Sequence, residues 1–148
     1  MALQKYQSCM LVAVAFGIGS AAAAQQITLA EVKAQGGMQL TGDALKELMP
    51  EAKVTNHLAS GSTRRWTNNA DGNFVASTDG RSLSGGRNIP ASGQGSWRLA
   101  NNGTYCVIIK WGLLTEDWCS YIFKAGDKYY GVRRLDGNAP TSEFEFSK

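Results

Sequence analysis

The chain has 148 residues, 43% of them hydrophobic, with 15 Lys and Arg against 12 Asp and Glu. That length suits one domain with a single core, and a formal charge of +3 is too mild to argue for nucleic acid or an anionic membrane as partner. After the first two dozen residues no apolar run approaches the roughly 20 residues a membrane helix needs, so the chain is not expected to span a membrane.

The N-terminus carries Lys5, an apolar stretch from Cys9 to Gly19, and Ala22-Ala23-Ala24 before Gln25. This is the charged, apolar and small-residue order of a secretory signal. The apolar part has no polar face to show to water as a buried helix would. The expectation is a signal over residues 1–24, removed on export together with Cys9, and a single β-rich domain over 25–148, with a helical N-terminal part (25–53) and antiparallel strands (54–148).

Residues 27–35 open with Thr28-Leu29-Ala30-Glu31, a capping box, and stop at Gly36-Gly37, which predicts a short helix. A second helix starts near Thr41-Gly42-Asp43, carries Leu45, Leu48 and Met49 on one stripe, and ends at Pro50. From about Val54 the pattern changes to strands and tight turns. Turn dipeptides stand at Asp71-Gly72, Asp79-Gly80, Asn102-Gly103, Gly112-Leu113, Gly126-Asp127 and Asp136-Gly137. Short runs rich in aromatic or β-branched residues fall at 63–67, 73–78, 96–100, 104–111, 118–124, 128–134 and 142–147. This rhythm predicts a mainly β (α+β) domain: two short N-terminal helices and a seven- or eight-stranded antiparallel barrel or curved sheet. Residues 80–95 break the rhythm. They read as a long loop, or as a weak edge strand flanked by loops, and are either a binding element containing Arg87 or a plain connector.

Export leaves two cysteines, Cys106 and Cys119, and an even count in an oxidising compartment points to a disulfide. If Gly112-Leu113 is a two-residue type II′ turn, Trp111 faces Leu114 and Cys106 falls opposite Cys119 on an open pair that a disulfide can bridge. In that register Glu116 shares a face with Val107, Ile109 and Trp111. A longer loop over 112–116, or a bulge, would place that charge differently. Closing so short a loop contributes about 3 kcal/mol by chain-entropy reasoning. The spacing is not Cys-x-x-Cys, so the pair reads as a staple rather than a redox centre.

The residues that could carry chemistry read mostly as structure. His57 is the only histidine; a zinc site would have to draw its other ligands from carboxylates, and no nucleophile-elbow pattern accompanies it. Glu116-Asp117 point to opposite strand faces and read as a solvated hairpin end. Gly85-Gly86-Arg87 lacks phosphate-loop spacing. No catalytic residue, metal site or cofactor is expected. Trp66, Trp97, Trp111 and Trp118 are core candidates; the sharper reading makes one or two of them, with Arg64 and Arg87, cavity-lining or interface anchors. Arg64-Arg65 and Arg133-Arg134 place guanidinium groups near aromatics.

Leu40-Thr41-Gly42-Asp43, Gly95-Ser96-Trp97, Tyr105-Cys106-Val107 followed by Trp111, and Trp118-Cys119 before Lys128-Tyr129-Tyr130-Gly131 together resemble a family of small proteobacterial exported proteins classed as a domain of unknown function. The likeness runs from about residue 40 to 132. It implies a periplasmic or secreted bacterial protein and supplies no activity and no catalytic residues. The Gly-x-Trp is also similar to that of lipocalin-like barrels, although there it opens the first strand and here it lies mid-chain. Small periplasmic inhibitors of proteases and lysozyme share the idea of a barrel with one disulfide, an analogy of fold alone. The leading expectation is a non-enzymatic binding protein of the bacterial cell envelope whose partner is another protein. The alternative is a barrel carrying a small apolar ligand; the third is a carboxylate-based enzyme. An apolar cavity of at least roughly 300 Å³, an exposed aromatic-arginine patch, or buried ionisable groups converging in a cleft would distinguish them.

Overall fold

The computed structural model describes residues 26–80 and 89–148; the expected signal and Arg87 lie outside them. In chain order the elements are α1 (Leu29–Ala34), β1 (Met38–Gln39), α2 (Gly42–Leu48), β2 (Lys53–His57), β3 (Thr63–Thr67), β4 (Asn73–Thr78), β5 (Ser92–Leu99), β6 (Tyr105–Trp111), β7 (Leu114–Ala125), β8 (Lys128–Val132) and β9 (Thr141–Ser147). Strands β2 to β9 pair antiparallel around a closed ring, with β2 on β9 and β7 on β8 completing the circuit. The expected mainly β barrel with two short helices is what forms. Strand β1 is additional: it pairs with the far end of β7 through Gln39 opposite Phe123 and Met38 opposite Lys124, on the edge left open where β6 stops at Tyr105.

Both helices begin as their sequence predicts. Thr28 Oγ1 accepts from the Glu31 backbone N–H while the Glu31 carboxylate accepts from Thr28 N–H, closing the capping box. At α2, Thr41 Oγ1 accepts from Ala44 N–H. Each is too short to persist alone, and each is held by packing. Helix α1 lays Leu29 and Val32 against the outside of the barrel, onto Phe123, Ala125, Tyr130 and Val132. Helix α2 instead closes one end of the barrel: Leu45 and Met49 are fully buried in the interior cluster with Trp66, Phe74, Tyr105 and Ile122, and Leu40 and Leu48 pack against it.

Three strands run beyond the sequence reading. Strand β2 falls where strands are expected to begin, near Val54, but in no run named there; β7 starts at Leu114 rather than 118; and residues 92–95, placed in the irregular 80–95 segment, form the first half of β5. That half-strand lies inside the sheet, paired to β4 on one side and β6 on the other. Its glycines explain both its presence and its weak signal. A Cβ on Gly95 would sit 2.1 Å from Phe74 Cε2, so the bare backbone is what lets the Phe74 ring lie across the strand and stack on Trp66 at 5.3 Å.

The β6–β7 hairpin has the expected tight turn. Gly112 has φ 63 and Leu113 does not take positive φ, as a type II′ turn requires. Trp111 pairs with Leu114 and Cys106 with Cys119, and the two sulfurs are bonded across a Cα separation of 4.0 Å. Among the described residues no helix is long and apolar enough to cross a membrane.

Candidate functional site: the open mouth of the barrel

The two ends of the barrel differ. At the plugged end, buried polar atoms satisfy one another. Asn68 is fully buried; its Oδ1 accepts from Tyr105 Oη at 2.7 Å and from Trp66 Nε1 at 3.0 Å, and its Nδ2 donates to the Met49 carbonyl at 3.1 Å. Burial pushes the Tyr105 phenol far above its ordinary value, against the opposing pull of these two partners.

The opposite end, formed by the end of β2, the starts of β3, β7 and β9 and the end of β8, is a concavity of about 420 Å³. Inward alternation places polar side chains on its floor: Asn56 of β2, Arg64 of β3, Glu116 and Ser120 of β7, and Ser142 of β9, beside Trp118 and Phe144. Space exists because Gly131 lies across from Ile122 and Ser142; a Cβ there would meet Phe144 Cε2 at 2.5 Å and Ser120 Cβ at 3.4 Å. Arg133 and Arg134, just past β8, stand at the rim.

Electrostatically the floor is an ion pair enclosed by aromatics. Arg64 Nη1 donates to Glu116 Oε2, with the arginine side chain 8% and the glutamate 25% exposed. The guanidinium also lies over the Trp111 ring at 5.3 Å. Burial draws the Arg64 guanidinium below its ordinary value, the response of a cation held away from water. Three buried side chains at this end keep hydrogen-bonding atoms without a partner among the described residues, Asn56 Oδ1, Arg64 Nε and Trp111 Nε1, and the strands bring Asn56 and Arg64 directly opposite one another. Glu116 is the one carboxylate on the lining.

Of the residues singled out in the sequence, Arg64 and Trp118 line the mouth and Trp111 lies beneath Arg64. Trp66 is interior, edge-on to Trp118 at 6.5 Å. Trp97 is half-buried toward the plugged end, 6.4 Å from Tyr105, and donates to the Asn69 carbonyl. Trp66, Trp111 and Trp118 are all buried. His57 faces outward and bonds Glu145 at 2.7 Å. The reading of Glu116-Asp117 as a solvated hairpin end is corrected by half: Asp117 is exposed, while Glu116 turns into the barrel because a cation meets it there. Asn56, Ser120, Gly131 and Ser142 were not singled out. The alternation of β9 and β8 contained the signal for the last two; Asn56 sits in β2, outside the named runs. Among the described residues no three metal-ligating side chains gather.

No protein-family model, curated protein or solved structure matches the chain. Fold and site together define, among the described residues, a closed antiparallel barrel, stapled by one disulfide, plugged by a helix at one end and open at the other onto an arginine-bearing polar floor.

Proposed function

We propose that this is a non-enzymatic binding protein of the bacterial cell envelope, periplasmic or secreted, that engages a protein partner through the mouth of its barrel. The observation that carries this reading is the asymmetry of the barrel: at one end a concavity of about 420 Å³ reaches the buried polar side chains of Arg64 and Asn56, while at the other Leu45 and Met49 of α2 fill the interior and the hollow of about 550 Å³ beside the helix is lined by residues such as Leu40, Leu48, Tyr129 and Phe146. Concave sites with a few placed polar groups are where proteins of this size receive ligands. Export is supported by the signal pattern and by the Cys106–Cys119 bond, which belongs to oxidising compartments. Acid–base catalysis finds little to work with: the lining offers one carboxylate, and it is committed to Arg64. Carriage of an apolar ligand between the strands is disfavoured because Trp66, Phe74, Ile109, Trp111 and Ile122 pack into one cluster there.

The test is affinity capture from envelope extract, followed by amide-shift mapping of the labelled protein with whatever is captured. Shifts concentrated at Ser120, Gly131 and Ser142 are expected. Binding that leaves those residues unmoved, or turnover of the bound species, would overturn the proposal.

A further inference from the structure

We propose that the group received by the mouth is a carboxylate with an adjacent N–H or O–H donor, as at the C-terminus of a polypeptide or in a free small hydroxy or N-acyl acid. This rests on the reading of the mouth as the binding site and adds the chemistry it recognises. The first support is charge. Arg64, Arg133 and Arg134 line the concavity. Glu116 answers Arg64 and Asp136 answers Arg134 at 3.2 Å, and Arg133 has no ion pair among the described residues. Among the described residues of the mouth, one cation is therefore left without an ionic partner, a match for a negatively charged group.

The second support is the pattern of unused valence. Arg64 gives Nη1 to Glu116, so the edge of the guanidinium bearing Nε is the one left over, and its Nε–H is buried without an acceptor. A side-on guanidinium edge is a fork for a carboxylate. Directly across on β2, Asn56 is 4% exposed, and its Oδ1 lacks a donor. Trp111, whose ring lies against the Arg64 guanidinium, adds a second buried donor without an acceptor at Nε1; buried donors and a buried acceptor on neighbouring residues ask for a ligand that both accepts and donates. At the plugged end the equivalent polar atoms of Asn68, Trp66 and Tyr105 are all joined, so leaving valences open is not a general habit of this barrel.

The probes are an N-acetylated amino acid with a free carboxylate, its C-terminal amide, acetate, and a short peptide ending in the same residue. Each is titrated into the isotope-labelled protein while the Arg64 Nε–H and Asn56 side-chain signals are followed. Both signals should move with the free acid and stay still with the amide. Asn56→Asp, which sets a like charge beside the carboxylate, should weaken binding at least tenfold. Arg133→Gln, a rim change that leaves the floor intact, should weaken it by roughly two- to fivefold, as for a solvent-exposed charge. Tighter binding of the peptide than of the acetylated acid identifies a polypeptide terminus; equal binding identifies a free small acid. Equal binding of acid and amide, or no response to any carboxylate, overturns this inference. If the mouth still responds to captured envelope material in that case, the binding reading survives without it; if the mouth responds to neither, both fall.

Discussion

Breaking the ion pair on the floor of the mouth should cost far more than removing it entirely. Glu116→Gln keeps the shape and one acceptor but leaves Arg64, whose side chain is 8% exposed, as an uncompensated cation. Breaking fully buried pairs costs about 3–5 kcal/mol, and with Glu116 25% exposed the expectation falls to the lower end, about 3 kcal/mol. Arg64→Met strands the carboxylate instead, which can draw water from the concavity, so about 2 kcal/mol is expected, including the lost contact over Trp111. The double variant Arg64→Met with Glu116→Gln should return to within about 1 kcal/mol of the parent, because neither charge then has to be desolvated. Urea unfolding followed by tryptophan emission measures all four proteins. With a slope of about 1–3 kcal/mol per molar, the Glu116→Gln midpoint should drop by roughly 1–3 M. The cycle should yield a coupling of about 4–5 kcal/mol, far above the few tenths expected of independent sites. Single losses below about 0.5 kcal/mol with an additive double variant would mean the pair behaves as an ordinary surface pair, and the account of a dry floor would be wrong.

The Cys106–Cys119 link, 13 residues apart in sequence, should contribute about 3 kcal/mol; reduction, or Cys106→Ser with Cys119→Ser, should lower the melting temperature by roughly 10 °C, measurable by calorimetry. Gly95→Val, whose Cβ would fall 2.1 Å from Phe74 Cε2, should cost at least about 1–3 kcal/mol through displacement of the Phe74 ring, whereas Gly42→Ala, with open space around its Cβ, should stay within about 1 kcal/mol of the parent; equal effects in chemical denaturation would contradict the stated packing. Tyr105→Phe removes the hydroxyl that donates to Asn68 and accepts from Trp66 and should cost about 1–3 kcal/mol. Because burial raises the Tyr105 phenol in the folded state, the stability it contributes is complete below the unfolded value near 10 and is lost as pH rises above it; alkaline melting curves should therefore fall less steeply for Tyr105→Phe than for the parent, and parallel curves would count against it.

Much of the fold was legible because this barrel follows strand periodicity where its interior is apolar. Strands β3 and β4 coincide with the runs 63–67 and 73–78, and the hairpin register followed from one glycine at a turn position and the cysteine count. Strand β2 was illegible for a specific reason: its sequence is Lys-Val-Thr-Asn-His, whose inward residues are Val54 and Asn56, so a polar side chain occupies a core position and the alternation disappears. The first half of β5 was hidden differently. Gly93 and Gly95 put no side chain into the pattern; what fills the volume is Trp111 and Ile109 of β6 at Gly93 and Phe74 of β4 at Gly95, contacts only the folded sheet creates.

The site was illegible for a reason that concerns function. Pattern reading assumes that inward means apolar, and Glu116 in the tight-turn register conflicted with that rule, which made the register look doubtful. Register and charge are both right; the rule fails at one end of the barrel, where Arg64 arrives from β3 to meet the carboxylate across a distance of 52 residues in sequence. A polar residue on a core face that seems to spoil a strand assignment is thus informative in its own right. The chain spends stability on burying charge at the mouth and nowhere else among its described strands, since the other ion pairs are exposed. That charge lies at the end away from α2, where the barrel interior is lined by Arg64, Glu116 and Asn56 and not filled by Leu45 and Met49, which is the placement the proposed binding role requires and the barrel's own packing does not.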